Sequence, residues 1–239
     1  LTICQGSVRN TEIFGDAGVC EELMMLVGNA IVGDNAELLT KIFKAIEVMG
    51  MCSKNKLILG QDMHCRALLK VIKNNIYNKG ICVTSCSAVS SICMGVSNNK
   101  EIFGENGFCP LVCELLRIHT DDAGVIGAAC AALWSFGSGN KKNTQRLSRI
   151  ISICDLLIEV LKLHFDNALV CGAVSGLLAA ILQVDSGHFP AMKSSKMQEI
   201  CVATLTTYPS NPSVVAPSLT LLRLIFQHEW ELNSELNPF

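Results

Sequence analysis

One motif recurs along the sequence about every 44 residues, and this repetition constrains the fold more than any other feature. Asn10, Asn55, Asn99 and Asn143 are 45, 44 and 44 residues apart, and Gly187 is predicted to occupy the next equivalent position. Periods of this length indicate stacked supersecondary units, because each unit is too small to bury its apolar faces without its neighbours.

Apolar residues lie at fixed distances from each of these positions. A large apolar side chain follows four residues later, and the slot ten residues later holds Cys20, Cys65, Cys109, Ile153 and Met197. Since this slot accepts three residue types, it requires apolar volume and not sulfur chemistry. Further apolar pairs have the i, i+4 spacing of one helix face: Leu23 and Val27, Leu68 and Ile72, Val112 and Leu116, Leu156 and Val160.

Each repeat continues, after a polar break, into a longer apolar segment rich in Ala, Ser and Gly. The clearest is VIGAACAALWSFGSG, residues 125–139. It is long enough for about four helical turns, and its small residues allow helices to approach closely. Each repeat is therefore predicted to form a short helix, a second amphipathic helix and a third helix that is apolar on nearly all sides.

The run N-x-x-x-[FL]-G-x-x-G-x-C-x-x-L-V-x-x-L, followed by an AALWS helix, resembles the armadillo repeat. The resemblance covers about residues 10–232. It implies an all-α fold, a right-handed α–α superhelix (an armadillo-like solenoid) of about five 44-residue repeats, in a single domain 1–239 that we expect to be part of a longer protein. The expected repeats are about 10–54, 55–98, 99–142, 143–186 and 187–232.

The fifth repeat departs most from the pattern. It lacks the leading Asn, and Pro209, Pro212 and Pro217 are predicted to crowd the turn before its last helix. HEAT repeats are the neighbouring architecture, with two helices per unit instead of three. The short first helix favours the armadillo type.

Charge and cysteine content restrict the class of function. The 19 Lys and Arg nearly balance the 21 Asp and Glu, giving a net charge of -2, so the sequence lacks the basic surface that nucleic acids require. Thirteen cysteines occur without a CxxC pair in a chain large enough to bury a core, which favours reduced thiols and a cytoplasmic location. The resemblance to armadillo repeats implies a range of adaptor roles that includes association with the cytoskeleton.

Two cysteine pairs and two histidines invite a metal or catalytic interpretation. Cys82 and Cys86 share a predicted helical face, as do Cys109 and Cys113. No His or further Cys completes a familiar metal-ligand set at either pair. We therefore expect these cysteines to be buried as small apolar residues, and we expect no metal or cofactor. His119 and His164 end predicted second helices, where a cation complements the helix dipole.

Armadillo proteins usually bind extended peptides in a groove lined by their third helices, where a Trp and an Asn hold the peptide backbone. Aligning residues 125–139 with the third armadillo helix without gaps places Ala131 at the usual Trp position and Ser135 at the usual Asn position. The two residues with which nuclear import receptors hold a peptide are therefore absent. In the same alignment, Ser175 and Ala179 occupy these two positions in the fourth repeat. The candidate groove comprises Lys41, Lys44, Val48, Ser87, Ser91, Ala131, Trp134 and Ser135.

Trp134 has two interpretations: an aromatic anchor at the groove edge, or a residue that packs against the next repeat. The groove residues are mostly small and neutral, so we expect a partner with a mixed or apolar surface. The terminal repeats should expose apolar faces, through which the chain could form homo-oligomers unless these are capped.

The leading hypothesis is a non-enzymatic interaction scaffold or adaptor that binds a partner peptide or helix of another protein through the concave third-helix groove. The alternative is a regulatory or ligand-sensing solenoid domain of a larger multidomain enzyme.

The motifs GAVSG (172–176) and GSGNKKNT (137–144) match neither a nucleophile elbow nor a phosphate loop. Residues 123–140 and 167–184 reach the lower length limit of a membrane span, but they recur in register with the repeat, so no span is expected.

Overall fold

The computed structural model describes residues 4, 6–30 and 35–236, and within these ranges all regular structure is helical. The chain divides into two compact units, Leu1–Phe136 and Gly137–Phe239. That they fold together as the single domain 1–239 stays a prediction. The helices are α1 Val8–Asp16, α2 Val19–Ala30, α3 Ala36–Met49, α4 Ser53–Leu59, α5 Asp62–Asn74, α6 Lys79–Cys93, α7 Ser97–Glu105, α8 Phe108–Ile118, α9 Ala123–Gly137, α10 Lys141–Ser148, α11 Ile153–Leu163, α12 Ala168–Val184, α13 Phe189–Ser194, α14 Met197–Thr207 and α15 Pro212–Leu236.

The helices follow in groups of three: a short first helix, an amphipathic second helix and a longer third helix. This agrees with the armadillo-like prediction and not with two-helix HEAT repeats. In the fifth group, a 3-10 turn at Ser186–His188 precedes the short helix α13. The apolar segments 123–140 and 167–184 form α9 and α12, and in the described part of the chain no helix has the length and apolarity to cross a bilayer.

A residue in the left-handed backbone region precedes the second helix in four repeats. It is Gly18 (φ 83°), Gly107 (φ 87°), Ser152 (φ 55°) or Lys196 (φ 58°). Glycine adopts this conformation without strain, which explains the second Gly of the G-x-x-G motif. In the fourth repeat the equivalent residue is Ser152.

The segment from the N-cap of the first helix to the C-cap of the second helix is one residue longer in the fourth repeat than in the third, which corrects the predicted register of the fourth repeat. The N-caps Val96 and Asn140 are 44 residues apart, whereas the C-caps of α8 and α11, His119 and His164, are 45 residues apart. Cys154, and not Ile153, is therefore equivalent to Cys109. The core pair of α11 shifts in the same way, from the predicted Leu156 and Val160 to Leu157 and Leu161, which are fully buried.

The repeated Asn links the first helices of successive repeats within the first unit. Asn55 Nδ2 donates to the carbonyl oxygens of Thr11 (2.8 Å) and Met49 (3.2 Å). Asn99 Nδ2 donates to those of Lys56 (2.8 Å) and Ile92 (3.0 Å). Because both amides are buried, they satisfy backbone carbonyls that water cannot reach.

The fifth repeat uses a histidine in place of this Asn. Each Asn is the third residue after its helix N-cap, and counting from the N-cap Asp185 leads to His188 and not to the predicted Gly187. His188 Nε2 lies 2.9 Å from the carbonyl oxygen of Ser148, in the preceding repeat. The extra residue after α10 explains why the prediction was off by one.

One of the two predicted helix-end histidines, His119, links its repeat to the preceding one. His119 and His164 are the C-cap residues of α8 and α11, as predicted, but both are buried. His119 Nε2 lies 2.7 Å from the carbonyl oxygen of Ile76, 43 residues earlier. Tyr208, the C-cap of α14, donates in the same way to the carbonyl of Phe165 (3.1 Å).

The last helix begins earlier and runs further than expected. Pro212 is the first residue of α15, where its missing N–H costs nothing, and Pro217 lies inside the helix instead of in the preceding turn. Only Pro209 lies in that turn. A proline inside a helix removes one backbone hydrogen bond.

Candidate functional site

The third helices of the first unit border a surface pocket of about 350 Å³. Helices α3, α6 and α9 form its floor, and residues at the ends of α3 and α6, with one residue of α4, form its rim. The lining residues are Glu47, Gly50, Met51, Lys56, Ser87, Ser90, Ser91, Met94, Ala128 and Ala131. The pocket thus combines one carboxylate, one ammonium group, three hydroxyls and two thioethers over a floor of small side chains.

The serine hydroxyls of the floor bridge neighbouring third helices. Ser91 Oγ donates to the carbonyl oxygen of Glu47 (2.8 Å), and Ser90 Oγ lies 2.6 Å from Ser135 Oγ. A Cβ on Gly50 would lie 2.5 Å from Ser91 Oγ, so the first bridge requires glycine at that position. Each hydroxyl oxygen can still accept a further hydrogen bond, because a hydroxyl carries two lone pairs.

Glu47 supplies the negative charge of the pocket. Its side chain is half-buried, and burial raises the pKa of its carboxyl while the Lys44 ammonium group opposes that shift. Within the described ranges, the carboxylate accepts no hydrogen bond and has no ion pair within 4 Å. Such a group gains from a cationic or hydrogen-bonding ligand, because it has lost part of its hydration and the Lys44 ammonium group compensates for this only in part.

Lys56 supplies the positive charge and comes from a first helix. Its Nζ donates to the carbonyl oxygen of Met94 (2.6 Å), and burial lowers the pKa of the ammonium group. The hydrogen bond holds Nζ at the rim while two of its three donors stay available. Lys100, one repeat later, is buried in the equivalent position.

Met51 and Met94 form the apolar part of the rim, and each is 58% exposed. Both follow the end of a third helix, after Met49 and Cys93 respectively. Methionine side chains are flexible and polarisable, so they can pack against ligands of different shape, including the aliphatic stem of Lys or Arg.

The fold is shared with engineered repeat proteins. Two engineered proteins match with TM-scores of 0.75 and 0.77 at 18% and 16% identity, covering 94% and 95% of this chain and 88% and 87% of theirs. A designed armadillo repeat protein in complex with the peptide (KR)4 matches with TM-score 0.73 at 16% identity, over 94% of this chain and 89% of its own. The chain has an armadillo-like helical-repeat fold. No family model matches the sequence, and no curated protein is significantly similar to it.

Three of the residues predicted for the armadillo-like groove line this pocket: Ser87, Ser91 and Ala131. Two others adjoin it, since Ser135 is hydrogen-bonded to the lining residue Ser90, and Lys44 interacts with Glu47.

The remaining predicted residues lie elsewhere. Lys41 is exposed and pairs with Glu37 (2.6 Å). Trp134 lies on α9, and 36% of its surface is exposed. Val48 borders a separate apolar pocket of about 230 Å³ near Phe14 and Leu23.

The groove positions proposed for the fourth repeat are buried. Ser175 is fully buried and accepts a hydrogen bond from Ser218 Oγ (3.3 Å), and Ala179 is buried as well. The N-caps of α9 and α12, Asp122 and Asn167, are 45 residues apart, so the equivalent of Ser135 is Ala180, which is partly exposed.

Sequence reasoning missed Glu47, Lys56, Met51 and Met94. Two signals were present: Lys56 and Lys100 each follow a repeat Asn, and Met-Gly occurs at the ends of the first two third helices. Neither signal shows which way these side chains point, since that depends on how α4 packs against α6.

The cysteine pairs occupy the core. All thirteen cysteines are buried and none forms a disulfide, and the described residues contain no group of three His, Cys, Asp or Glu that could hold a metal ion. Burial raises the pKa of Cys82 and Cys113 to about 11. Such thiols are poor nucleophiles and poor ligands, because both roles require the thiolate.

Proposed function

We propose that this protein is a non-enzymatic interaction scaffold that binds a peptide segment of a partner protein in the pocket formed by α3, α6 and α9. The observation that carries the proposal is the half-buried carboxylate of Glu47, which has no ion pair in the described part of the chain and lies among hydroxyls and methionines. The designed armadillo repeat protein of the same fold is in complex with a peptide of Lys and Arg residues.

The pocket chemistry fits an extended peptide with a basic side chain. Its ammonium or guanidinium group would pair with Glu47, and its aliphatic stem would pack between Met51 and Met94. The free donors of Lys56 and the hydroxyl of Ser87 face the same space, and they would bind backbone carbonyls of the peptide. This arrangement needs neither of the missing Trp and Asn residues.

The proposal extends to an adaptor role in the cytoplasm. Thirteen buried cysteines without a disulfide suit a reducing compartment, where thiols stay reduced. An adaptor would use the pocket for one partner and leave other surfaces of the chain for further contacts.

Binding of a labelled (KR)4 peptide to the full chain, measured by fluorescence anisotropy, tests the proposal. Glu47→Gln should weaken binding about tenfold, equivalent to about 1.4 kcal/mol. Glu37→Gln removes the same charge from the exposed end of α3 and should change binding little. Equal losses in both variants would mean that the peptide senses only net charge, and no binding by the wild-type chain would contradict the proposal.

A further inference from the structure

A second groove lies between two second helices of the first unit and is distinct from the pocket on the third helices. It has a volume of about 430 Å³. Its lining residues are Arg66, Leu69, Lys70 and Lys73 of α5, Asn106 and Gly107 of the α7–α8 link, and Pro110, Leu111 and Glu114 of α8. None of these residues is involved in the proposed peptide pocket.

One wall of this groove is basic. Arg66, Lys70 and Lys73 have the i, i+4, i+7 spacing that aligns side chains along one helix face. Arg66 pairs with Asp62 (2.9 Å) on its own helix. Lys70 and Lys73 are exposed and have no ion pair within the described ranges, so their charges face the groove without a partner.

The floor of the groove is apolar, and the link beside it is held in place. Leu69 and Leu111 are almost fully buried and form its floor. Asn106 Nδ2 donates to Asp62 Oδ1 (2.9 Å) and to the carbonyl oxygen of Ile102 (2.9 Å), which ties the link before α8 to α5. Contacts within the chain therefore hold this side of the groove against α5.

Two of the three equivalent positions in the second unit carry the opposite charge. Counting back from the helix C-caps, Arg66, Lys70 and Lys73 correspond to Asp155, Glu159 and Lys162 of α11. These three residues line a comparable groove of about 450 Å³. Since this repeat architecture accepts either sign there, packing does not impose the basic wall of the α5–α8 groove.

We propose that the α5–α8 groove docks an acidic amphipathic helix of a partner protein. Carboxylates spaced by three and four residues on that helix would pair with Lys70 and Lys73, and its apolar residues would pack on Leu69 and Leu111. Glu114 lies on the opposite wall and repels carboxylates there, so the acidic side of the ligand faces α5. The groove serves a different ligand from the peptide pocket and does not depend on it.

The test uses the full chain and a synthetic amphipathic helical peptide of about 18 residues, with Glu along one face and Leu along the other, read out by fluorescence anisotropy. The Lys70→Glu/Lys73→Glu double variant should lose at least tenfold in affinity. Glu114→Gln should gain about threefold, because it removes a repelling charge. The matched controls in the second unit, Lys162→Glu and Glu159→Gln, should leave affinity unchanged.

Circular dichroism on each variant establishes that it is folded, and the gain expected for Glu114→Gln does not depend on a damaging substitution. The proposal is overturned if the wild-type chain does not bind the peptide, or if the controls change affinity as much as the groove variants. It is also overturned if a single-stranded RNA or vesicles of anionic phospholipid bind in a Lys70- and Lys73-dependent way and the peptide does not.

Discussion

The side chain of Asn99 occupies the space in which a Cβ atom on Gly60 would have to lie. The same relationship holds one repeat earlier, where Asn55 overlaps the Cβ position of Gly15. The Asn of one repeat and the Gly of the preceding repeat are therefore coupled. In the second unit both change together, since Ser148 takes the glycine position and His188 takes the asparagine position.

Gly60→Ala should destabilise the protein by about 2–4 kcal/mol. The added methyl group displaces the Asn99 amide, strains the packing and leaves the carbonyls of Lys56 and Ile92 buried without a donor. Urea unfolding of wild type and variant measures the difference. A change below about 0.5 kcal/mol, the range usual for exposed sites, would show that the Asn99 amide can move without cost.

Gly28→Ala should have the opposite effect. Gly28 lies in α2, is exposed, and has no atom within 4 Å of a Cβ position. Alanine there should stabilise the protein by about 0.5–1 kcal/mol, because it lowers the backbone entropy of the unfolded chain. The same urea titration distinguishes the two glycines, and a loss of stability in this variant would contradict the described local structure.

Glu47→Gln should raise stability at neutral pH while it weakens peptide binding. Because burial raises the pKa of the Glu47 carboxyl, the folded state disfavours its charge, and a neutral amide of the same shape avoids this cost. The expected gain is up to about 0.5 kcal/mol, measured by urea unfolding. A loss of stability would indicate that Glu47 has a structural partner and is not held ready for a ligand.

Binding of a basic peptide should weaken as the pH falls from neutral toward the raised pKa of Glu47. The ordinary value for this group is 4.5, so protonation begins at a higher pH than for an exposed glutamate. Fluorescence anisotropy at a series of pH values measures the effect. Glu47→Gln should abolish this dependence, and an unchanged pH profile in the variant would assign the effect to other groups.

Stability should fall steeply in alkali. Burial raises the pKa of Cys65, Cys130 and Cys201 from 9.0 to about 12. Between about pH 9 and pH 12 the unfolded chain has lost these thiol protons and the folded chain retains them, so their contribution is complete below pH 9 and disappears as the pH rises through the folded values. Each thiol contributes at most about 1.4 kcal/mol per pH unit. Urea unfolding at about pH 8 and about pH 10.5 tests this, with Cys65→Ala expected to show a shallower decline.

The repeat and its three-helix content were predictable from sequence because they depend on local chemistry. The Asn, the G-x-x-G glycines and the small-residue third helices each perform one physical role in every repeat, so their spacing alone indicates the helices. The extra residue before Ser152 was not predictable, because Ile153 and Cys154 are both apolar and either fits the core slot.

The sequence could predict only those residues of the candidate pocket that lie on the third helices. Ser87, Ser91 and Ala131 follow from the third-helix register. Lys56 comes from a first helix, and its orientation is fixed by a hydrogen bond to Met94 that crosses from one repeat to the next. The proposed role of Glu47 depends on its carboxylate having no ion pair in the described part of the chain, which sequence spacing cannot reveal.

Photo-cross-linking with a (KR)4 peptide that carries a benzophenone group tests the central claim most directly. After irradiation with the full chain, mass spectrometry identifies the residues that the peptide touches. We predict cross-links to Met51 and Met94, at the rim of the pocket, that are lost when unlabelled peptide is added in excess. Cross-links confined to the α5–α8 groove or to residues 137–236 would contradict the assignment of this pocket as the peptide site.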